Sequence, residues 1–176
     1  MPLLRLAQVR AFIFMTSAAM LCGCGSQPVP DYVTSLVKVT GTVTLDGKPT
    51  EGIEVVFVPD QRMGSKIENA GGNATAITDN AGKYSLITPP GGGISVADMG
   101  LFAGAMPGKY AATFHYWVLP DGKPWATTGS TATQGPALMG AVEKLPPQLG
   151  NPLGSKYVLD VKAGSDMVQD FDLKSK

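Results

Sequence analysis

Apolar and polar residues alternate with a period of two along several short stretches of the chain. Such alternation is typical of β-strands that bury one face. The apolar faces of the first two stretches are Val37, Val39, Val43 and Leu45 in VKVTGTVTLD and Ile53, Val55 and Phe57 in IEVVFVPD. Between them, Asp46-Gly47 predicts a tight hairpin turn, because glycine and aspartate accept the positive φ angles of such turns.

Further short strands follow in the rest of the chain. The candidates are residues 74–79, KYSLIT, KYAATFHYWV, KYVLDVKAG and MVQDFDLK, which gives about seven strands in all. No helical periodicity persists after residue 24, and 22 glycines and 14 prolines favour turns over helices. The sequence therefore predicts an all-β protein, an antiparallel seven-stranded β-sandwich with two long loop insertions at about residues 89–107 and 119–154.

The N-terminal segment differs from this pattern. Arg5 and Arg10 precede an apolar run, residues 11–21, and no acidic residue occurs before Asp31. As a helix the run would span about 16 Å, roughly half of a bilayer core, so it fits the apolar region of a signal peptide and not a transmembrane helix. A buried core helix is the alternative, and the glycine-rich residues that follow disfavour it.

The two cysteines, Cys22 and Cys24, lie one residue apart. A disulfide between them would be strained, the spacing is not the redox spacing C-x-x-C, and His115 is the only histidine that could join them at a metal. Leu21-Cys22-Gly23-Cys24 resembles the bacterial lipobox. The resemblance implies cleavage after Gly23 and lipid modification of Cys24; with Cys22 as acceptor, the bulky Leu21 would stand at the cleavage site.

This interpretation divides the chain into three parts: a signal peptide (1–23), a lipidated N-terminus with a spacer (24–35) and one domain (36–176). Two or more acyl chains on Cys24 would hold the protein stably at a membrane. We expect a cell-envelope location, and Gly25 after the cysteine favours the outer membrane, facing the periplasm or the exterior.

Charge excludes one class of partner. Without the two arginines of residues 1–23, 12 basic and 14 acidic side chains remain, a net charge of about −2. No cluster of lysines or arginines is present to follow a phosphate backbone, so we expect no nucleic-acid partner. No sequence motif indicates a cofactor.

The order of several short motifs resembles a known family. VTGTVTLDGKP, TDNAGKY and MPGKY follow one another as in the carboxypeptidase regulatory-like domain, and LPPQLGNP resembles the tail of small bacterial lipoproteins that carry it. The resemblance implies a prealbumin-like (transthyretin-like) sandwich without catalytic positions. Asp79 and Gly82 suit a turn, and Tyr84 and Tyr110 suit a core whose edge their hydroxyls reach.

Three residues are the candidates for a ligand or partner surface: His115, Trp117 and Trp125. His115 and Trp117 share a strand face, and Trp125 lies in the loop beyond. A catalytic histidine would need a nucleophile and an orienting acid, and no nucleophile motif is present. We expect a non-enzymatic structural or protein-interaction module. The alternatives are a carbohydrate- or peptidoglycan-binding module with tryptophan platforms and, less favoured, an accessory domain for a separate hydrolase.

Mass spectrometry of the mature N-terminus tests the anchor. We expect a chain that begins at Cys24 with an acylated amine and a diacylglyceryl thioether. A chain with an unmodified Cys24 would contradict the lipobox interpretation.

Overall fold

The computed structural model describes residues 30–60, 72–89, 100–127 and 135–175. In these residues all helical turns are of the 3-10 type, at Asp31–Ser35, Trp125–Thr127, Pro136–Met139, Pro147–Gly150 and Pro152–Gly154 and at residues 100–102. The strands are β1 (Val39–Leu45), β2 (Lys48–Pro49), β3 (Glu54–Pro59), β4 (Ala74–Ile77), β5 (Lys83–Ser85), β6 (Gly108–His115), β7 (Trp117–Val118), β8 (Val142–Glu143), β9 (Val158–Val161), β10 (Met167–Val168) and β11 (Phe171–Leu173). The predicted all-β class is confirmed.

β1 is the central strand of the first sheet. It pairs in antiparallel fashion with β2 and β5 on one side. The turn between β1 and β2 has Asp46 at φ 53° and Gly47 at φ 80°, so both residues adopt the left-handed conformation that a two-residue hairpin requires. This confirms the turn predicted from Asp46-Gly47.

The C-terminal strands pair with β1 in parallel. Val39 is opposite Met167 of β10, and Val43 is opposite Phe171 of β11. The prediction of a purely antiparallel arrangement is therefore wrong for this side of the sheet. Alternation of apolar residues determines which face of a strand is buried, but it carries no information about the direction of the neighbouring strand.

The second sheet has the strand order β4-β3-β6-β9 and is antiparallel throughout. Val55 and Phe57 in β3 and Ile53 just before it are fully buried, as their alternation predicts. A small third sheet pairs β7 with β8.

The described residues thus form eleven strands in three sheets, not seven strands in two. Four of the eleven have only two residues, which are too short to show an alternating pattern. The stretch KYAATFHYWV also does not form one strand. It breaks at Tyr116, where β6 ends and β7 turns away to pair with β8.

The two larger sheets share one apolar core. Phe171 of the first sheet contacts Phe114 and Phe57 of the second, with ring centroids 4.8 Å and 6.3 Å apart. The Tyr84 hydroxyl donates to the carbonyl of Gln169, and that of Tyr110 to the carbonyl of Met106. Burial raises the pKa of both tyrosines, that of Tyr110 to about 12. The predicted placement of these rings is confirmed.

Both insertions contribute to this core, which their irregular composition does not predict. Phe102 and Ala105 of the first insertion are buried, and so are Ala141 and Leu145 of the second. Each insertion therefore has at least one point where burial of apolar surface fixes it to the sheets.

The all-β structure has two distinct ends. At one end the 3-10 helix Asp31–Ser35 places the ring of Tyr32 on Phe102, 6.3 Å between centroids, and Val37 pairs with Ala105. We call this the N-terminal end. β6 runs from this end to His115, beyond which β7 pairs with β8, and we call that the β7–β8 end. A strand rises about 3.3 Å per residue, so β6 separates the two ends by about 25 Å.

Gly41 occupies the closest approach between β1 and the C-terminal strands. It lies beside the residues that join β10 to β11, and a Cβ at this position would overlap the carbonyl oxygen of Gln169. The same carbonyl accepts the Tyr84 hydroxyl, so it has little freedom to move.

We expect Gly41→Ala to lower the free energy of unfolding by about 1–3 kcal/mol, because the backbone of Gln169 must shift. Chemical denaturation of the variant measures this change. Gly135→Ala is the control, since a Cβ there meets no atom within 4 Å. Equal stability of the two variants would contradict the close approach.

Candidate functional site

The β7–β8 end brings a histidine and a glutamate together. The Nδ1 atom of His115, the last residue of β6, lies 3.1 Å from Oε2 of Glu143 in β8. Their side chains are 35% and 23% exposed. An ion pair that remains this accessible to water contributes little stability through charge alone. Its structural role therefore depends on the hydrogen bonds that the two side chains form.

The second carboxylate oxygen of Glu143 binds the backbone. Oε1 accepts from the N–H groups of Tyr116, 2.8 Å away, and Leu145, 3.1 Å away. Tyr116 is the residue between β6 and β7, and the side chain of Leu145 is buried in the core. One carboxylate therefore joins the end of β6, the start of β7 and the segment of the second insertion that follows β8.

The loop after β8 closes against the imidazole. A Cβ on Gly150 would lie 2.7 Å from Cε1 of His115, so a side chain at this position would require the imidazole ring to move. The partner of His115 is an acid that can orient the ring. Nucleophilic catalysis also needs a hydroxyl or thiol within hydrogen-bond reach of the imidazole, and the His115 hydrogen bond described above goes to a carboxylate.

The structure places both tryptophans at the same end. Trp117 in β7 is opposite Glu143 in the β7–β8 register. Val118 pairs with Pro124, and Trp125 follows at the start of the 3-10 helix Trp125–Thr127. Both tryptophans are partly buried. His115, Trp117 and Trp125, which the sequence analysis singled out, therefore surround one short pair of strands.

Three exposed apolar residues at this end were not expected from the sequence. Leu138, Met139 and Val142 are 77%, 46% and 56% exposed, and all three lie within five consecutive residues. Leu138 and Met139 belong to the 3-10 helix Pro136–Met139, and Val142 pairs with Val118. We call these three residues the apolar turn. The segment PALMGAV has no strand or helix periodicity, so sequence alone treats it as a loop.

The turn that carries these residues is internally hydrogen-bonded. The N–H of Gly140 donates to the carbonyl of Ala137, and that of Ala141 to the carbonyl of Pro136. Gly140 has φ 73°, in the left-handed region that favours glycine, and this closes the turn before β8. The apolar turn is thus held in one conformation by backbone bonds and by the pairing of β8.

Burial raises the pKa of Tyr116, and the carboxylate of Glu51 raises it further.

Among the described residues, no group of three or more histidine, cysteine, aspartate or glutamate side chains is arranged to hold a metal ion. Within the same part of the chain, no helix has the length and apolar character needed to cross a bilayer. Cys24 lies outside the described residues.

Comparison with known proteins leaves the family open. No protein-family model and no curated protein matches the chain. A search of solved structures finds similarity to a 9R-lipoxygenase from Cyanothece PCC8801, with 13% identity and a TM-score of 0.31. The match covers 84% of this chain, which spans only 18% of the lipoxygenase chain. A similarity of this size carries no argument about fold or function.

We expect Glu143→Ala to destabilise the β7–β8 end, because it removes the acceptor of two backbone donors and the partner of His115. The free energy of unfolding should fall by about 1–2 kcal/mol, and the amides of Tyr116 and Leu145 should exchange with solvent faster. Amide hydrogen exchange followed by NMR measures the effect at each residue.

The control is Glu51→Ala, which removes an exposed carboxylate from the same end but no hydrogen bond to these amides. If both amides in Glu143→Ala exchanged as slowly as in the control, the role assigned to this carboxylate would be wrong.

Proposed function

We propose that the protein is a lipid-anchored, non-enzymatic component of the bacterial cell envelope. A lipid on Cys24 holds it at a membrane, and its domain presents a protein-contact surface at the β7–β8 end. In this proposal the domain is a prealbumin-like sandwich of the carboxypeptidase regulatory-like kind. The motifs in the sequence support that assignment.

The apolar turn is the observation that carries the proposal. Large apolar side chains grouped on a surface are typical of protein interaction sites, whereas singly scattered ones need no explanation. Leu138, Met139 and Val142 are grouped within five residues and are displayed by a turn with its own backbone hydrogen bonds. Little conformational entropy remains to be lost there when a partner binds.

The positions of the two ends support the proposed orientation. The chain enters the domain at the N-terminal end, where Tyr32 packs on Phe102, and the apolar turn lies at the opposite end. Residues 24–30 can span at most about 23–25 Å when fully extended. A lipid on Cys24 would therefore keep the N-terminal end close to the membrane and leave the apolar turn available to a partner.

The use of polar side chains supports a non-enzymatic role. Both carboxylate oxygens of Glu143 bind groups of the protein itself. The Oδ1 atom of Asp79 accepts from the N–H groups of Ala81 and Lys83. Asp172 binds Thr44 and Lys174. These carboxylates stabilise turns and strand pairs, which is a structural use of charge.

A carbohydrate- or peptidoglycan-binding module is the second candidate. The observation that favours it is the placement of Trp117 and Trp125 next to the same pair of strands. Sugars stack on exposed aromatic faces, whereas both of these side chains are partly buried and the more exposed side chains nearby are aliphatic. The surface therefore favours a protein partner.

Site-specific photo-crosslinking in cells tests the first candidate. A photoreactive amino acid at Leu138 should give a discrete adduct with one envelope protein, and Val142→Asp should reduce its yield at least about ten-fold, because a buried unpaired charge disfavours binding. The same photoreactive residue at Val168 is the control. Val168 is 74% exposed, close to the 77% of Leu138, but belongs to β10 on another part of the surface.

Equal crosslinking from both positions, or no effect of Val142→Asp, would contradict the proposed surface. A glycan array probed with the chain and with Trp117→Ala and Trp125→Ala tests the second candidate. Sugar binding that both substitutions abolish would replace the first candidate by the second.

A further inference from the structure

A cavity of about 310 Å³ opens between the end of the second insertion and the C-terminal strand. Its volume is at the lower limit of small-molecule sites, which range from about 300 to 1,000 Å³. The side chains that define its chemistry are Pro146, Gln148, Leu149, Lys156, Tyr157 and Lys174. None of these residues belongs to the apolar turn, so the cavity is separate from the surface proposed above.

The apolar wall of the cavity is fixed before any ligand binds. The ring of Tyr157 packs edge-on against Phe114 and Phe171, with centroids 5.4 Å and 5.3 Å apart. Its hydroxyl donates to the carbonyl of Asp172 at 3.1 Å. Leu149 packs against the same core. A wall held from two directions loses little freedom when a ligand contacts it.

The charged residues that line the cavity are both lysines. Nζ of Lys156 lies 4.9 Å from the centroid of the Tyr157 ring, over its face, and Nζ of Lys174 lies 3.1 Å from Oδ2 of Asp172. The other oxygen of that carboxylate, Oδ1, accepts from the Thr44 hydroxyl. An ammonium group has three donors, so Lys174 can bind a further anion without releasing Asp172.

We infer that this cavity binds a small organic anion, a carboxylate carried on a flat apolar body. The apolar body would lie against Leu149 and Tyr157, and the carboxylate would lie between the two ammonium groups. The amide of Gln148 offers both a donor and an acceptor for a further polar group of the ligand. A cation of the same shape would be repelled by both lysines.

NMR titration of the protein with three probes of one shape tests this inference: benzoate, benzamide and benzamidinium. Benzoate should shift the amide resonances of Leu149, Lys156 and Tyr157 and bind more tightly than neutral benzamide. Benzamidinium should not bind. Lys156→Gln and Lys174→Gln should each weaken benzoate binding about two- to five-fold, the range expected for exposed ion pairs.

Lys123→Gln is the matched control. Lys123 forms an exposed ion pair with Asp121, 3.4 Å between Nζ and Oδ2, which resembles the Lys174–Asp172 pair but lies outside the cavity. Benzoate should bind this variant as it binds the unchanged chain. Equal affinity for benzoate and benzamide, shifts elsewhere on the protein, or an equal loss in Lys123→Gln would each overturn the inference. None of these outcomes bears on crosslinking at Leu138, so the two proposals fail separately.

Discussion

The β7–β8 end depends on the hydrogen bonds that the carboxylate of Glu143 accepts. This carboxylate accepts hydrogen bonds from the backbone of Tyr116 and Leu145 and contacts His115, so it joins the end of β6 to a segment 28 residues further along the chain. The second insertion could otherwise leave the sheet at this point. Because the hydrogen bonds of Glu143 fix the second insertion at the end of β6, β8 can pair with β7. The residues that precede β8 are then displayed in a defined position.

Sequence patterns predicted the sheets where one face of a strand is buried. The alternation in β1 and β3 identified Val39, Val43, Val55 and Phe57 correctly as core residues. The parallel pairing of β1 with β10 and β11 could not be predicted, because the partner of a strand depends on chain topology and not on its own apolar residues. Gly41 illustrates the difference. A glycine is required at this position because the backbone of Gln169, far along the chain, approaches it closely.

The candidate site was predictable only in part. The sequence drew attention to His115, Trp117 and Trp125, which the fold gathers at one end. It did not identify Glu143 or the exposure of Leu138, because both depend on how an aperiodic segment folds back on the sheet. The cavity beside Tyr157 was equally hidden, since its lysines belong to different segments and only the fold brings them to one opening.

We propose that a lipid on Cys24 keeps the N-terminal end at the membrane and the β7–β8 end away from it. Single cysteines at Leu101 and at Leu138, each labelled with a fluorophore in the lipidated protein on vesicles, measure this directly with headgroup-linked quenchers. Both positions are exposed. We expect strong quenching of the label at position 101 and little at position 138. Stronger quenching at position 138 would contradict it.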